Sequence, residues 1–235
     1  AQLERVLSSV EMLLPKATKP VNWATCHAAN WRRHSFSGCL EPVKVTDTTR
    51  LDELLGVDDQ KTTMINNTRQ FLQGSPANNA LRWGSRGTGK SSIVKALLNE
   101  YGDQGLRIIQ VEKEDLIYLS EIFSAVENLP YRFIMLCDDL TFETGELAYK
   151  MLKSALDGSF YSAPENELIY VTSNRRSLLP EYEGDHLGGK YFKGELQQSE
   201  IQEEKSSLSD RFCLWLLFHV CSQDRYPEAG SLFTG

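Results

Sequence analysis

The sequence predicts an α/β fold, with a five-stranded parallel sheet carrying helices on both faces and a helical N-terminal extension before it. Two observations predict it. From Asn78 onward, short continuously apolar runs alternate with amphipathic stretches, and a glycine-rich loop joins the first run to the first such stretch. Strands that stay apolar along their length belong to a sheet buried on both faces. Helices between consecutive strands make the pairing parallel.

The elements follow in order. Residues 1–43 read as a helical lead-in, because Leu3, Val6, Leu7, Val10, Leu13 and Leu14 fall at helical spacing until Pro15 stops the run. A turn-rich connector holds Gly38, Pro42 and the threonines near Asp47. A second helix is expected after LDELLGVDDQ, with Met64, Ile65, Thr68, Phe71 and Leu72 on one face and Gly74-Ser75-Pro76 as its stop. The five expected strands are NALRW, LRIIQV, FIMLC, ELIYVT and FCLWLLFHV; the helices between them are SSIVKALLNEY, LSEIFSAVENL and GELAYKMLKSAL. Residues 181–207 read as a long exposed loop. The expected division is an extension over 1–43, a core over 44–226 and a short tail over 227–235.

Composition bounds the class. With 41% hydrophobic and 24% charged residues in 235, the chain is an ordinary globular sequence and not a disordered one. The longest apolar run, Phe212 to Cys221, is half of the roughly 20 residues a membrane span needs, so a buried strand is expected. The first fourteen residues mix charges with leucines and do not make a secretory signal; since residue 1 is Ala, a processed or incomplete chain is expected. Five cysteines without C-x-x-C spacing point to the cytoplasm and to no zinc site, Cys26-His27 and His219-x-Cys221 reading as incidental neighbours. The net charge of −7 argues against bulk coating of nucleic acid. Residues 1–50 nevertheless carry seven Lys/Arg against four Asp/Glu, and Trp31-Arg32-Arg33-His34 is either a solvated basic surface or a contact for a phosphate backbone or an acidic partner.

The chemistry begins at Gly84-Ser85-Arg86-Gly87-Thr88-Gly89-Lys90-Ser91, which fits G-x-x-x-x-G-K-[ST] and sits between an apolar strand and a helix, followed by Ser92. Glycines let the backbone curl so that successive N–H groups face one anion, and the helix start adds its dipole. Four fixed positions match by chance in on the order of 1% of chains this long, and the strand–loop–helix setting lowers that further. The expected ligand is ATP with Mg2+: Lys90 reaches the β- and γ-phosphates and the Ser91 hydroxyl ligates the metal.

The strand RFIMLC ends in Asp138-Asp139. Ligands gather at the C-terminal ends of strands in such sheets, so Asp138 is expected in the magnesium shell and Asp139 as the acid that orients or deprotonates water. Capping of the next helix is the structural alternative. ELIYVT runs into Ser173-Asn174, which places Asn174 beside the acids as a γ-phosphate sensor; a local turn role is its alternative.

Phosphate loop, strand-end acids, strand-end Asn and an Arg before a last apolar strand together resemble the AAA+ P-loop ATPase superfamily. LDELLGVDDQ resembles its adenine-contacting segment, which implies Leu55, Gly56 and Val57 near the base. RLDELLGVDDQK, RFIMLCDDLTFE, IYVTSNRRSLLPE and EEKSSLSDRFCLWLLF, with the loop region itself, are more similar still to a bacterial family known as domain of unknown function 815, over roughly residues 30–226. The Ser-Asp-Arg-Phe segment resembles the arginine-finger position of related initiators, which implies that Arg211 reaches a neighbouring subunit's γ-phosphate in a homo-oligomer. A surface pair with Asp210 is the alternative, and Arg175 and Arg176 are weaker candidates for the same work. Two departures stand out. The second acid is Asp where AAA+ proteins more often carry Glu, and the C-terminal helical lid is expected to be absent, since Pro227 and Gly230 interrupt the stretch where it would begin.

The expected function is Mg-dependent binding and slow hydrolysis of ATP to ADP, driving conformational change in an oligomer. The rivals are a nucleotide-dependent DNA or protein loader with little hydrolysis and a small-molecule kinase. Salt-sensitive DNA affinity that appears only with ATP marks the loader, and phosphoryl transfer to a metabolite marks the kinase.

Overall fold

A computed structural model describes residues 20–34, 37–142, 146–157, 165–174, 178 and 211–218. Seven strands form one sheet in the order β2-β1-β4-β5-β6-β3-β7. They are β1 (Ala28–His34), β2 (Ser37–Val43), β3 (Ala80–Gly84), β4 (Leu106–Gln110), β5 (Arg132–Cys137), β6 (Glu167–Ser173) and β7 (Leu214–Phe218). The helices are α1 (Asp58–Leu72), α2 (Ser92–Tyr101), α3 (Leu119–Val126) and α4 (Leu147–Asp157).

The five apolar runs are the five strands β3 to β7, all mutually parallel where they pair. Alternate residues of each strand enter opposite cores. Leu81, Ile109, Phe133, Met135, Ile169 and Val171 pack on one face with Ile122, Phe123 and Val126 of α3 and Ala148, Tyr149 and Leu152 of α4. Ala80, Ile108, Ile134, Leu136, Leu168 and Tyr170 pack on the other with Met64 and Phe71 of α1 and Ile93, Val94 and Leu97 of α2. Helix-period residues on α1, namely Met64, Thr68 and Phe71, are buried as their spacing requires.

The N-terminal expectation needs correction. Residues 28–43 are not helical: β1 and β2 form an antiparallel hairpin, Ala28 facing Val43 through His34 facing Ser37, and β1 pairs in parallel with β4. The sheet therefore has seven strands rather than five. Ala29 and Trp31 are buried on one face of β1 while Arg32 is exposed, the period-2 pattern of a strand. Gly38 makes the hairpin possible, since a Cβ there would sit 1.8 Å from the Trp31 ring. Arg32 lies 4.0 Å from Glu41, and Arg33 Nη1 is 3.4 Å from the Tyr118 hydroxyl. The expected helix over Leu3–Leu14, the loop over 181–207, Arg175, Arg176 and the tail over 227–235 lie outside the described residues. Among the described residues no helix is long and apolar enough to cross a membrane.

Candidate functional site

The loop between β3 and α2 is held by its glycines. Gly84, Gly87 and Gly89 have φ of 144°, 77° and 87°, a region that side chains with a Cβ rarely adopt. At Gly84 space is also exhausted, because a Cβ would lie 2.0 Å from the Phe218 carbonyl oxygen of β7. The Thr88 hydroxyl donates to the Ser85 carbonyl at 2.8 Å and fastens the loop across its neck. The Ile93 amide closes onto the Gly89 carbonyl at 3.1 Å, so α2 starts where the loop ends.

Lys90 curls back over this loop. Its Nζ donates to the Gly84 and Ser85 carbonyls at 2.7 and 2.6 Å and to Asn174 Oδ1 at 3.2 Å. Burial lowers the Lys90 pKa from its ordinary value, while Asp139 and Asp138 pull it back up. Behind it, fully buried Arg82 of β3 donates to the Lys90 carbonyl. Burial pushes the Arg82 guanidinium down to about 10, with Asp138 opposing the shift.

The two acids emerge from β5 into the same cleft. Asp138 Oδ1 accepts from the Ser91 hydroxyl at 3.0 Å and from the Thr172 hydroxyl at 2.8 Å. Thr172 also accepts from the Asp139 amide at 2.8 Å, so one buried hydroxyl on β6 positions both acids. Asp139 has φ of 53°, the one non-glycine residue with positive φ among those described. Its two carboxylate oxygens are divided: Oδ1 accepts from Asn174 Nδ2 and Oδ2 from Arg86 Nη2, the latter at 3.0 Å. The cleft has a volume of about 340 Å3 and is lined by Lys90, Ser91, Asp138, Asp139 and Asn174, together with Arg86, Gly87, Gly89, Ser92 and Thr172.

This geometry presents a lysine ammonium, a hydroxyl paired to a carboxylate, and a second carboxylate facing one open space. Ser91 and Asp138 offer hard oxygen donors 3.0 Å apart, which fits a magnesium ion that keeps its remaining positions for water and phosphate oxygens.

Comparison with known proteins places the family and the fold. Residues 24–230 match the family described as protein of unknown function DUF815. The chain belongs to this family. Among solved structures, a Thr-to-Val variant of RuvB from Thermotoga maritima is similar at 16% identity and a TM-score of 0.50, covering 77% of this chain and 51% of that one. A Pro-to-Gly variant of the same RuvB gives 16% identity and a TM-score of 0.51, covering 76% and 51%. The DUF815 chain thus spans about half the length of the RuvB chains it matches, and the shared part is an α/β fold with a mostly parallel sheet. Among curated proteins none matches.

Not every expected residue of this DUF815 chain reaches the cleft. Leu55, Gly56 and Val57 do not line it. They precede α1, where Gln60 Nε2 donates to the Leu217 carbonyl at 2.6 Å, which sets them at the same end of the sheet, one strand away from Gly84. Arg211 lies just before β7, at the opposite end of the sheet, where it forms an ion pair with Asp157 of α4; Asp210 lies outside the described residues. Sequence reasoning missed Thr172 and Arg82. A threonine in a β-strand reads as β-branched filler, so its position two residues before Asn174 was the only available signal. Arg82 showed as a charge inside an otherwise apolar run.

Proposed function

We propose that the chain binds ATP with magnesium in this cleft and hydrolyses it slowly as part of an oligomer. The observation that carries the reading is the convergence of Lys90, Ser91, Asp138, Asp139 and Asn174 on one cleft at the C-terminal ends of β3, β5 and β6. These side chains come from three segments of the sequence, and a structural loop has no need to bring them together.

In this reading the amides of Gly87 to Lys90 cradle the phosphates, and Lys90 turns from the Gly84 and Ser85 carbonyls to the β- and γ-phosphate oxygens. Ser91 and Asp138 hold the magnesium ion, which neutralises phosphate charge when bound. Asn174 and Asp139 position a water molecule in line with the γ-phosphorus. As its oxygen bonds to phosphorus, the bond to the β–γ bridging oxygen breaks, Asp139 takes the water proton, and ADP and inorganic phosphate leave. Leu55, Gly56 and Val57 stand one strand over, where an adenine extending beyond the phosphates would lie. Arg211, remote from its own cleft, acts in this reading on the cleft of a neighbouring subunit, and nucleotide-dependent assembly follows from that.

The test is phosphate release and nucleotide affinity in the wild type, Lys90→Ala and Asp139→Asn, with sedimentation in the presence and absence of ATP-Mg. Lys90→Ala should lose ATP binding by calorimetry. Asp139→Asn should bind ATP and stop releasing phosphate. Unchanged ATP affinity in Lys90→Ala defeats the site assignment.

A further inference from the structure

Arg86 occupies a variable position of the glycine loop, yet its side chain is committed. It donates from Nη2 to Asp139 Oδ2 at 3.0 Å. Asp139 Oδ1 is taken by Asn174, and Asn174 Oδ1 by Lys90. One chain of contacts therefore runs from loop lysine to loop arginine through the acid, and each Asp139 oxygen already accepts one hydrogen bond from it. The Arg86 and Asp139 side chains are 83% and 50% exposed. An ion pair so open to solvent is weak and readily exchanged. Arg86 also stands beside Gly87, whose φ of 77° comes with no atom within 4 Å of a notional Cβ, so the loop has room to adjust there.

We propose, resting on the nucleotide reading above, that Arg86 is the residue by which this chain distinguishes a nucleoside triphosphate from a diphosphate. A γ-phosphate placed against Lys90 and Asn174 brings new negative charge within reach of Arg86. A guanidinium pairs bidentately with phosphate and exchanges one anion for the other. The exchange frees Asp139 Oδ2 at the moment the γ-phosphate arrives. A diphosphate supplies no such charge, and Arg86 stays on Asp139. Arg86 thus contributes γ-phosphate selectivity and keeps its charge paired with the acid until that phosphate is present.

The test is calorimetric titration of ADP-Mg and of the non-hydrolysable triphosphate AMP-PNP-Mg into wild type, Arg86→Ala, Asp139→Asn and the double variant, each checked for native circular dichroism. Arg86→Ala should weaken AMP-PNP by about 10-fold, the order of one lost charge-assisted hydrogen bond, and leave ADP within about 2-fold. Asp139→Asn should tighten AMP-PNP by about 3-fold by releasing Arg86, and this gain should vanish in the Arg86→Ala background. Equal losses for both nucleotides, or no loss for either, would overturn the selectivity role while leaving the binding site intact. A gain from Asp139→Asn that survives without Arg86 overturns the exchange. A wild type that binds neither nucleotide overturns the site reading together with this inference.

Discussion

Thr172→Val is the sharpest probe of how the acids are held. The substitution keeps the β-branched shape in a side chain that is 2% exposed and removes one hydroxyl. That hydroxyl donates to Asp138 at 2.8 Å and accepts from the Asp139 amide at 2.8 Å. A hydrogen bond to a charged group contributes about 1.5–3 kcal/mol, and a desolvated amide left unpaired costs about 1–3 kcal/mol. Asp138 is only partly buried, so the lower ends apply and the sum is about 2.5 kcal/mol. For a chain of this size that is a fall in melting temperature of roughly 5–10 °C. The glycine loop does not depend on Thr172, so nucleotide affinity should stay near wild type. Turnover should fall by about 100-fold, the order expected when a catalytic group moves by about 1 Å. Thermal melts followed by circular dichroism and a phosphate-release assay read both effects. A melting temperature within about 1 °C of wild type, with turnover preserved, would refute the claim that Thr172 positions either acid.

Glu167 opens β6 at the other end of the sheet, where it is 3% exposed and neither oxygen has a hydrogen-bond partner among the described residues. Burial, with Glu127 adding to it, pushes its carboxyl up from 4.5 to about 8. The folded state then holds a proton that the unfolded chain releases above pH 4.5, so stability declines from pH 4.5 to about 8, by about 3 kcal/mol at pH 7. Glu167→Gln should remove that decline from denaturant midpoints measured across the window, and parallel profiles for the two proteins would show that the carboxyl is ordinary. Gly84→Ala puts a Cβ 2.0 Å from the Phe218 carbonyl and should cost about 3 kcal/mol, whereas Gly87→Ala meets no atom within 4 Å and should cost about 1 kcal/mol of backbone strain. Equal denaturation midpoints for the two alanine variants would contradict the close approach of β3 to β7. Arg211→Ala should lower ATP turnover in assembled protein and leave diluted monomer unchanged; an equal loss in monomer places its effect in the Asp157 pair.

Most of the core was legible because the physics that forms it is local. Ile134, Met135 and Leu136 are apolar in succession because both faces of β5 are covered, and that run is visible without a fold. The loop was legible because Gly87 and Gly89 adopt backbone angles that demand glycine. The hairpin was not. Its strands are seven residues each, they carry Arg32, Arg33, Gly38 and Pro42, and the pairing of β1 with β4 joins residues as far apart as Ala28 and Ile108. Lys90, Ser91, Asp138 and Asn174 were readable as types at strand ends. The sharing of Asp139 between Asn174 and Arg86 depends on rotamers and a left-handed backbone, which no spacing encodes.

The φ of 53° at Asp139 bears on why the second acid is short. Aspartate and asparagine are the non-glycine residues that enter this conformation most readily, whereas longer side chains gain no local hydrogen bond to offset it. A glutamate grafted here would have to unwind the end of β5 before its extra methylene could reach anything. The isosteric amide keeps the backbone and deletes only the charge. In this chain, then, the length of the acid and the twist of the peptide beneath it go together, and changing one disturbs the other.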